Sequence, residues 1–120
     1  MDRVVRVLEQ GRIVTRGLAC RGIEPLLYLQ DRETLAISID WSEWLGADTI
    51  TAVDNAAECV TVVAESFTPT SASLTLRSRY GGCVEHRITT TSGETKVLRI
   101  NVDVSYGRRR RRDYDYRWIG

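Results

Sequence analysis

The chain is poor in the residues that do chemistry. It holds one histidine, His86, one lysine, Lys96, and three cysteines, Cys20, Cys59 and Cys83. A histidine that acts as a general base or metal ligand needs orienting carboxylates beside it. His86 lies between Val84 and Ile88 on the apolar parity of its strand, whereas Glu85 and Arg87 take the other face. The expectation is therefore a hydrogen-bonded interior histidine. The cysteines lack the Cys-x-x-Cys spacing of a structural zinc, and three of them cannot all pair within one chain. Reduced thiols are expected, although a Cys59–Cys83 bridge between facing sheets remains geometrically open. There is no glycine-rich phosphate loop, no Ser/His/Asp grouping and no cofactor fingerprint, so no catalytic residue, cofactor or metal is assigned and the chain reads as a non-enzyme. No apolar run approaches the roughly 18 residues of a membrane span. Met1-Asp2-Arg3 opens without the apolar core of a signal peptide, which places the protein in the compartment where it is made.

What is present is a β-domain. A length of 120 residues, 42% hydrophobic and 28% charged, suits one soluble domain with a single core. Three regions follow from the pattern: an N-terminal extension over 1–30, a domain over 31–106, and an arginine- and tyrosine-rich tail over 107–120. In the first, Val4–Leu8 and Arg12–Thr15 flank Glu9-Gln10-Gly11, which predicts a hairpin. A short amphipathic helix over Asp2–Gln10 is the competing reading.

In the second region the residues alternate at period two. Leu35, Ile37, Ile39 and Trp41 share one face, and so do Ala72, Leu74 and Leu76, then Val84, His86 and Ile88, then Leu98, Ile100, Val102 and Val104. Arg99, Asn101 and Asp103 are expected to face outward. Cys59–Ala64, apolar on both faces, reads as a central strand, and Asp54-Asn55, Pro69-Thr70, Gly81-Gly82 and Ser92-Gly93 read as turns. Strands at this spacing without helical periodicity predict an all-β fold, an immunoglobulin-like antiparallel β-sandwich with an N-terminal hairpin extension and an extended C-terminal tail. An open-faced barrel is the alternative, and parallel pairing is disfavoured because no crossover helices are in sight.

Asp40, Glu43 and Asp48 surround Trp41 and Trp44 in a loop. A calcium-type site lacks the dense Asp/Asn/Gly spacing it needs there, so loop and cap duties are assigned to these acids. Trp41 continues the inward parity, whereas Trp44 is open between a core role and recognition of a partner. In the tail, Arg108, Arg109, Arg110, Arg111 and Arg112 are followed by Tyr114, Tyr116 and Trp118 at period two. Asp113 and Asp115 interrupt the basic run, so nucleic acid is not the expected partner. The tail reads as a docking segment whose aromatic row meets a neighbour's sheet edge while its arginines fork onto carboxylates.

Two stretches carry a resemblance. In Ile37–Ile50 these are Asp40, Trp41, Leu45, Asp48, Thr49 and Ile50; in His86–Thr95 they are Arg87, Ile88, Thr89, Thr90, Gly93 and Thr95, with His86 where the family usually has Asn. Over about Leu35–Val104 the chain resembles the tailed-bacteriophage fibre-tail adaptor family. The first thirty residues and the arginine-rich tail depart from that family's usual form. The resemblance implies an immunoglobulin-like virion module, assembled in the bacterial host cytoplasm and linking tail or neck to fibres. Its expected partners are other virion proteins (portal, neck, tail or fibre), with symmetric homo-oligomers in the particle and no membrane. Head-decoration or collar duty is the nearest alternative. A carbohydrate-binding module built on Trp44 and Tyr80 is the reading from another class.

Overall fold

The computed structural model describes residues 3–105. Its elements in order are β1 (Val4–Val7), β2 (Ile13–Arg16), β3 (Ala19–Arg21), β4 (Glu24–Gln30), β5 (Thr34–Asp40), α1 (Ser42–Leu45), β6 (Ile50–Glu58), β7 (Thr61–Phe67), β8 (Ser71–Arg77), β9 (Gly82–Thr90) and β10 (Thr95–Ser105). They form two five-stranded sheets, ordered β2-β1-β5-β8-β7 and β3-β4-β10-β9-β6. The fold is the all-β sandwich that the alternation implies. No helix among the described residues is long and apolar enough to cross a membrane.

The core is built by parity. Ile37 and Ile39 of β5 and Leu74 and Leu76 of β8 face Val84, Ile88, Leu98 and Ile100 of the second sheet, and Trp41 plugs one end. Each large aliphatic chain so buried contributes roughly 1.5–3 kcal/mol through the water it leaves. The expected division at residue 30 is crossed by the sheets. Val5 and Val7 of β1, and Leu27 and Leu29 of β4, belong to the same core cluster as Ile39 and Ile100.

Two of the eight strand pairings among the described residues are parallel, β1 with β5 and β4 with β10. The sequence pattern argued against this because parallel neighbours need a crossover connection. Here the crossover is made of strands: between β1 and β5 the chain runs through β2 and then through β3 and β4 of the opposite sheet. The β1–β2 hairpin forms as expected, with Val5 opposite Thr15, and the helical alternative over Asp2–Gln10 is replaced by β1.

Three local expectations are corrected. Asp54-Asn55 is no turn: β6 continues through it, because Asp54 and Asn55 pair with Arg87 and His86 on β9 and alternate faces like any strand residues. The reversal comes at Cys59, which adopts a φ of 61°. Cys59–Ala64 does not become a central strand, since β7 ends its sheet and leaves Val63 48% exposed. Asn101 is 8% exposed, because β4 lies alongside and its amide donates to Glu24 Oε1 at 3.0 Å and the Pro25 carbonyl at 3.4 Å. The Gly81-Gly82 reversal occurs as predicted, and its glycines are required. Gly81 has a φ of 91°, and a Cβ on Gly82 would sit 2.0 Å from the Glu58 carbonyl oxygen.

Candidate functional site

The two stretches that carry the family resemblance meet at one end of the sandwich. Asp40 fixes the turn into α1: its Oδ1 accepts from the Ser42 amide at 2.9 Å and the Ser42 hydroxyl at 2.6 Å. Asp48 binds the distant turn after β9, where its Oδ2 accepts from the Ser92 hydroxyl at 2.6 Å and its Oδ1 accepts from the Ser92 amide at 3.3 Å and the Thr49 amide at 2.9 Å. The Thr49 and Thr91 hydroxyls lie 2.6 Å apart, and the Thr91 amide donates to the Thr49 carbonyl at 2.9 Å. The Ser42 hydroxyl holds the Asp40 carboxyl below its ordinary 3.8, and the Ser92 hydroxyl does the same for Asp48. Segments some forty residues apart are thus clasped together, with Asp40 and Asp48 in loop and turn roles and Glu43 paired with Arg6.

Inside the clasp lies a polar relay. The Trp41 indole N–H donates to His86 Nε2 at 3.2 Å. A donor aimed at Nε2 forces that nitrogen to accept, so the proton sits on Nδ1, which donates to Asn55 Oδ1 at 2.7 Å. The remaining Asn55 amide group donates to Glu65 Oε1. Trp41 directly follows β5 of the first sheet and Glu65 lies on β7 of that sheet, while His86 and Asn55 lie on the second, so the chain of bonds crosses the sandwich twice. His86 is 0% exposed, and burial pushes its pKa down to about 4. Its imidazole is neutral at physiological pH. His86 is thus the interior, hydrogen-bonded histidine that its parity predicted. The sequence does not single out Asn55 and Glu65, because Asp54-Asn55 carries turn chemistry; the shared parity of Asn55 with Val53 is the signal that points inward.

Trp44 is half-buried on α1, packing edge-on against Trp41 with ring centroids 5.6 Å apart and planes at 70°. Arg6 and Glu43, 2.6 Å apart and both about half exposed, tie α1 to β1; such a pair contributes at most about 1 kcal/mol. Tyr80 is 74% exposed beneath the Arg79 guanidinium. A sugar platform shared by Trp44 and Tyr80 is ruled out by position. Trp44 follows the Asp40 end of β5, where β8 begins, and Tyr80 follows the opposite end of β8. Seven residues of strand, roughly 23 Å, separate the two levels.

All three cysteines are free thiols, so no Cys59–Cys83 bridge is formed. No group of three His, Cys, Asp or Glu residues among those described is placed to hold a metal ion. Arg108–Arg112, Tyr114, Tyr116 and Trp118 lie outside the described residues.

The flank opposite β2 and β3 is a surface that the sequence reading missed. There β6 and β7, one edge of each sheet, pack side by side. Val63 and Phe67 are 48% and 43% exposed on it. The flank is partly blunted, because the register of β7 shifts between Val62 and Ala64 and the exposed Glu65 carboxylate is engaged by Asn55.

No curated protein matches the chain. The solved structure of the cysteine protease inhibitor EhICP2 from Entamoeba histolytica is similar with a TM-score of 0.42 at 10% identity, over 85% of this chain and 95% of that one. Residues 30–103 match the model of the family described as podophage GP4 fiber-tail adaptor protein gp77. That span takes in every strand from β5 to β9, most of β10 and both halves of the clasp, and the chain belongs to this family of phage fibre-tail adaptors.

Proposed function

We propose that the protein is a non-enzymatic structural component of a tailed-phage virion that links tail or neck to fibres. On this reading the sandwich is a rigid spacer and the segment 107–120 grips neighbouring virion proteins. The family membership carries the reading, and the clasp supports it physically. The side chains shared with the family, Trp41, Asp48 and Thr49 among them, are spent on holding the fold together, as suits a part whose task is shape. Arg108–Arg112 supply forked donors for carboxylates, and Tyr114, Tyr116 and Trp118 supply an apolar row.

Deleting Gly107–Gly120 tests it. Among the described residues every strand ends at or before Ser105, so the truncated protein is expected to keep its circular-dichroism spectrum and melting temperature. The expected result is loss of the protein from purified particles. Unchanged incorporation would refute the docking role.

A further inference from the structure

One end of the sandwich gathers positive charge around a hollow. Arg32 in the turn between β4 and β5, Arg77 at the close of β8 and Arg79 just beyond it line a shallow cavity of about 290 Å³, and Cys59, Thr61 and Ser78 complete its wall. Arg77 stands on the outward face of its sheet between Thr34 of β5 and Thr61 of β7, its two partners in register. Arg32 and Arg77 are exposed and make no hydrogen bond or ion pair among the described residues. The Arg79 guanidinium lies over the Tyr80 ring, 5.6 Å from its centroid. No carboxylate lines the cavity among the described residues. The nearby acids are placed elsewhere: Asp31 stands outside the lining, Glu33 Oε1 accepts from the Gln30 amide at 2.8 Å, and Glu58 lines a separate hollow with Cys83 and Arg99 on the outer face of the second sheet.

The backbone adds a second, independent sign. Among the described residues, two other than glycine adopt a positive φ, Arg32 at 65° and Cys59 at 61°, and both belong to this wall. The left-handed conformation crowds any Cβ against the following carbonyl oxygen, whereas glycine takes it freely. Arginine at position 32 therefore retains strain that a glycine would remove, a pattern that clusters at binding sites. The wall is also braced from within. The buried Ser78 hydroxyl donates to the Cys59 carbonyl at 2.7 Å and accepts from the Gly81 amide at 2.9 Å, which pins the reversal between β6 and β7 to the end of β8.

We propose that this cavity binds a phosphate group, free or carried on a larger molecule. The class follows from charge. A carboxylate brings one charge and one pair of oxygens, which a single guanidinium fork satisfies. Three guanidinium groups match the roughly −1.5 to −2 charge and three acceptor oxygens of a phosphate monoester at pH 7. Arg32 and Arg77 supply unengaged forks, Arg79 a third positive charge, and the Thr61 hydroxyl a further donor. The hollow is shallow, so a phosphate held there leaves its carrier in solvent.

NMR titration of the full-length, nitrogen-15-labelled chain at constant ionic strength tests the proposal, with inorganic phosphate and glucose 6-phosphate as probes and acetate as control. Either phosphate is expected to shift the Thr61, Ser78 and Arg79 amides saturably. Acetate is expected to bind at least about tenfold more weakly, the scale of one charge-assisted hydrogen bond. Equal affinity for the two phosphates assigns the site to the bare group, and a tighter sugar phosphate assigns it to a carried one. Arg77→Gln, and Arg32→Gly with the residue that best suits its left-handed turn, are each expected to weaken phosphate binding by at least about tenfold with unchanged circular dichroism. Replacing Arg108–Arg112 together by glutamine is expected to leave the shifts in place, which separates the cavity from the arginine-rich tail. Absence of saturable shifts at these amides, their loss in the tail variant, acetate binding as tightly as phosphate, or an affinity indifferent to both Arg32→Gly and Arg77→Gln would each overturn the proposal.

Discussion

Lowering the pH from 7 towards 4 titrates the unfolded chain before the folded one. In the unfolded chain His86 takes up its proton near its ordinary 6.5; in the folded protein burial delays this until about 4. Between those values the unfolded state binds the extra proton, so stability falls as pH falls, by up to about 1.4 kcal/mol per pH unit. Across the whole window the loss is about 3 kcal/mol, a large part of a small domain's stability. Asp40 and Asp48, both held below 3.8, lose their contributions only below that value, which leaves the window to His86. The assay is urea unfolding followed by tryptophan fluorescence at half-unit steps from pH 7.5 to 4.5. The unaltered protein is expected to weaken steadily below 6.5. His86→Gln, which keeps an acceptor for Trp41 but cannot titrate here, is expected to start less stable and hold a flat profile, so that the two converge towards pH 4.5. A flat profile for the unaltered protein, or an NMR titration placing the folded His86 near 6.5, would refute the reasoning.

Two further outcomes follow from the packing. Trp41→Phe removes the donor to His86 Nε2 and leaves a buried acceptor orphaned, which should cost about 1–3 kcal/mol in urea unfolding. Gly82→Ala sets a Cβ against the Glu58 carbonyl, 2.0 Å away on another strand's backbone; at least about 2 kcal/mol is expected, read as a lowered melting temperature.

The legible parts of this fold are those that depend on a residue's own strand. Inward parity in β5, β8, β9 and β10 could be read directly, because a buried face writes itself as every second side chain. Parts set by which strand lies alongside could not. Asn101 sits on the outward parity yet is buried because β4 covers it, and Asp54-Asn55 carries turn chemistry that pairing with β9 overrides. The parallel pairing of β1 with β5 depends on a strand crossover through the other sheet, for which no local signature exists. The clasp was half legible: Asp40 and Asp48 read as loop and cap acids, but the partnership of Asp48 with Ser92 joins positions 44 residues apart.

The place of β10 in its sheet also has a mechanical consequence. Among the described residues it is the longest strand, bonded antiparallel to β9 and parallel to β4. Tension applied at Ser105 along β10 would load two ladders in shear, so many bonds must yield together, whereas a tether on β2 or β7, each paired on one side only, would load a single ladder. A part that transmits the drag of a fibre to a tail is well served by a cable spliced into the middle of the weave.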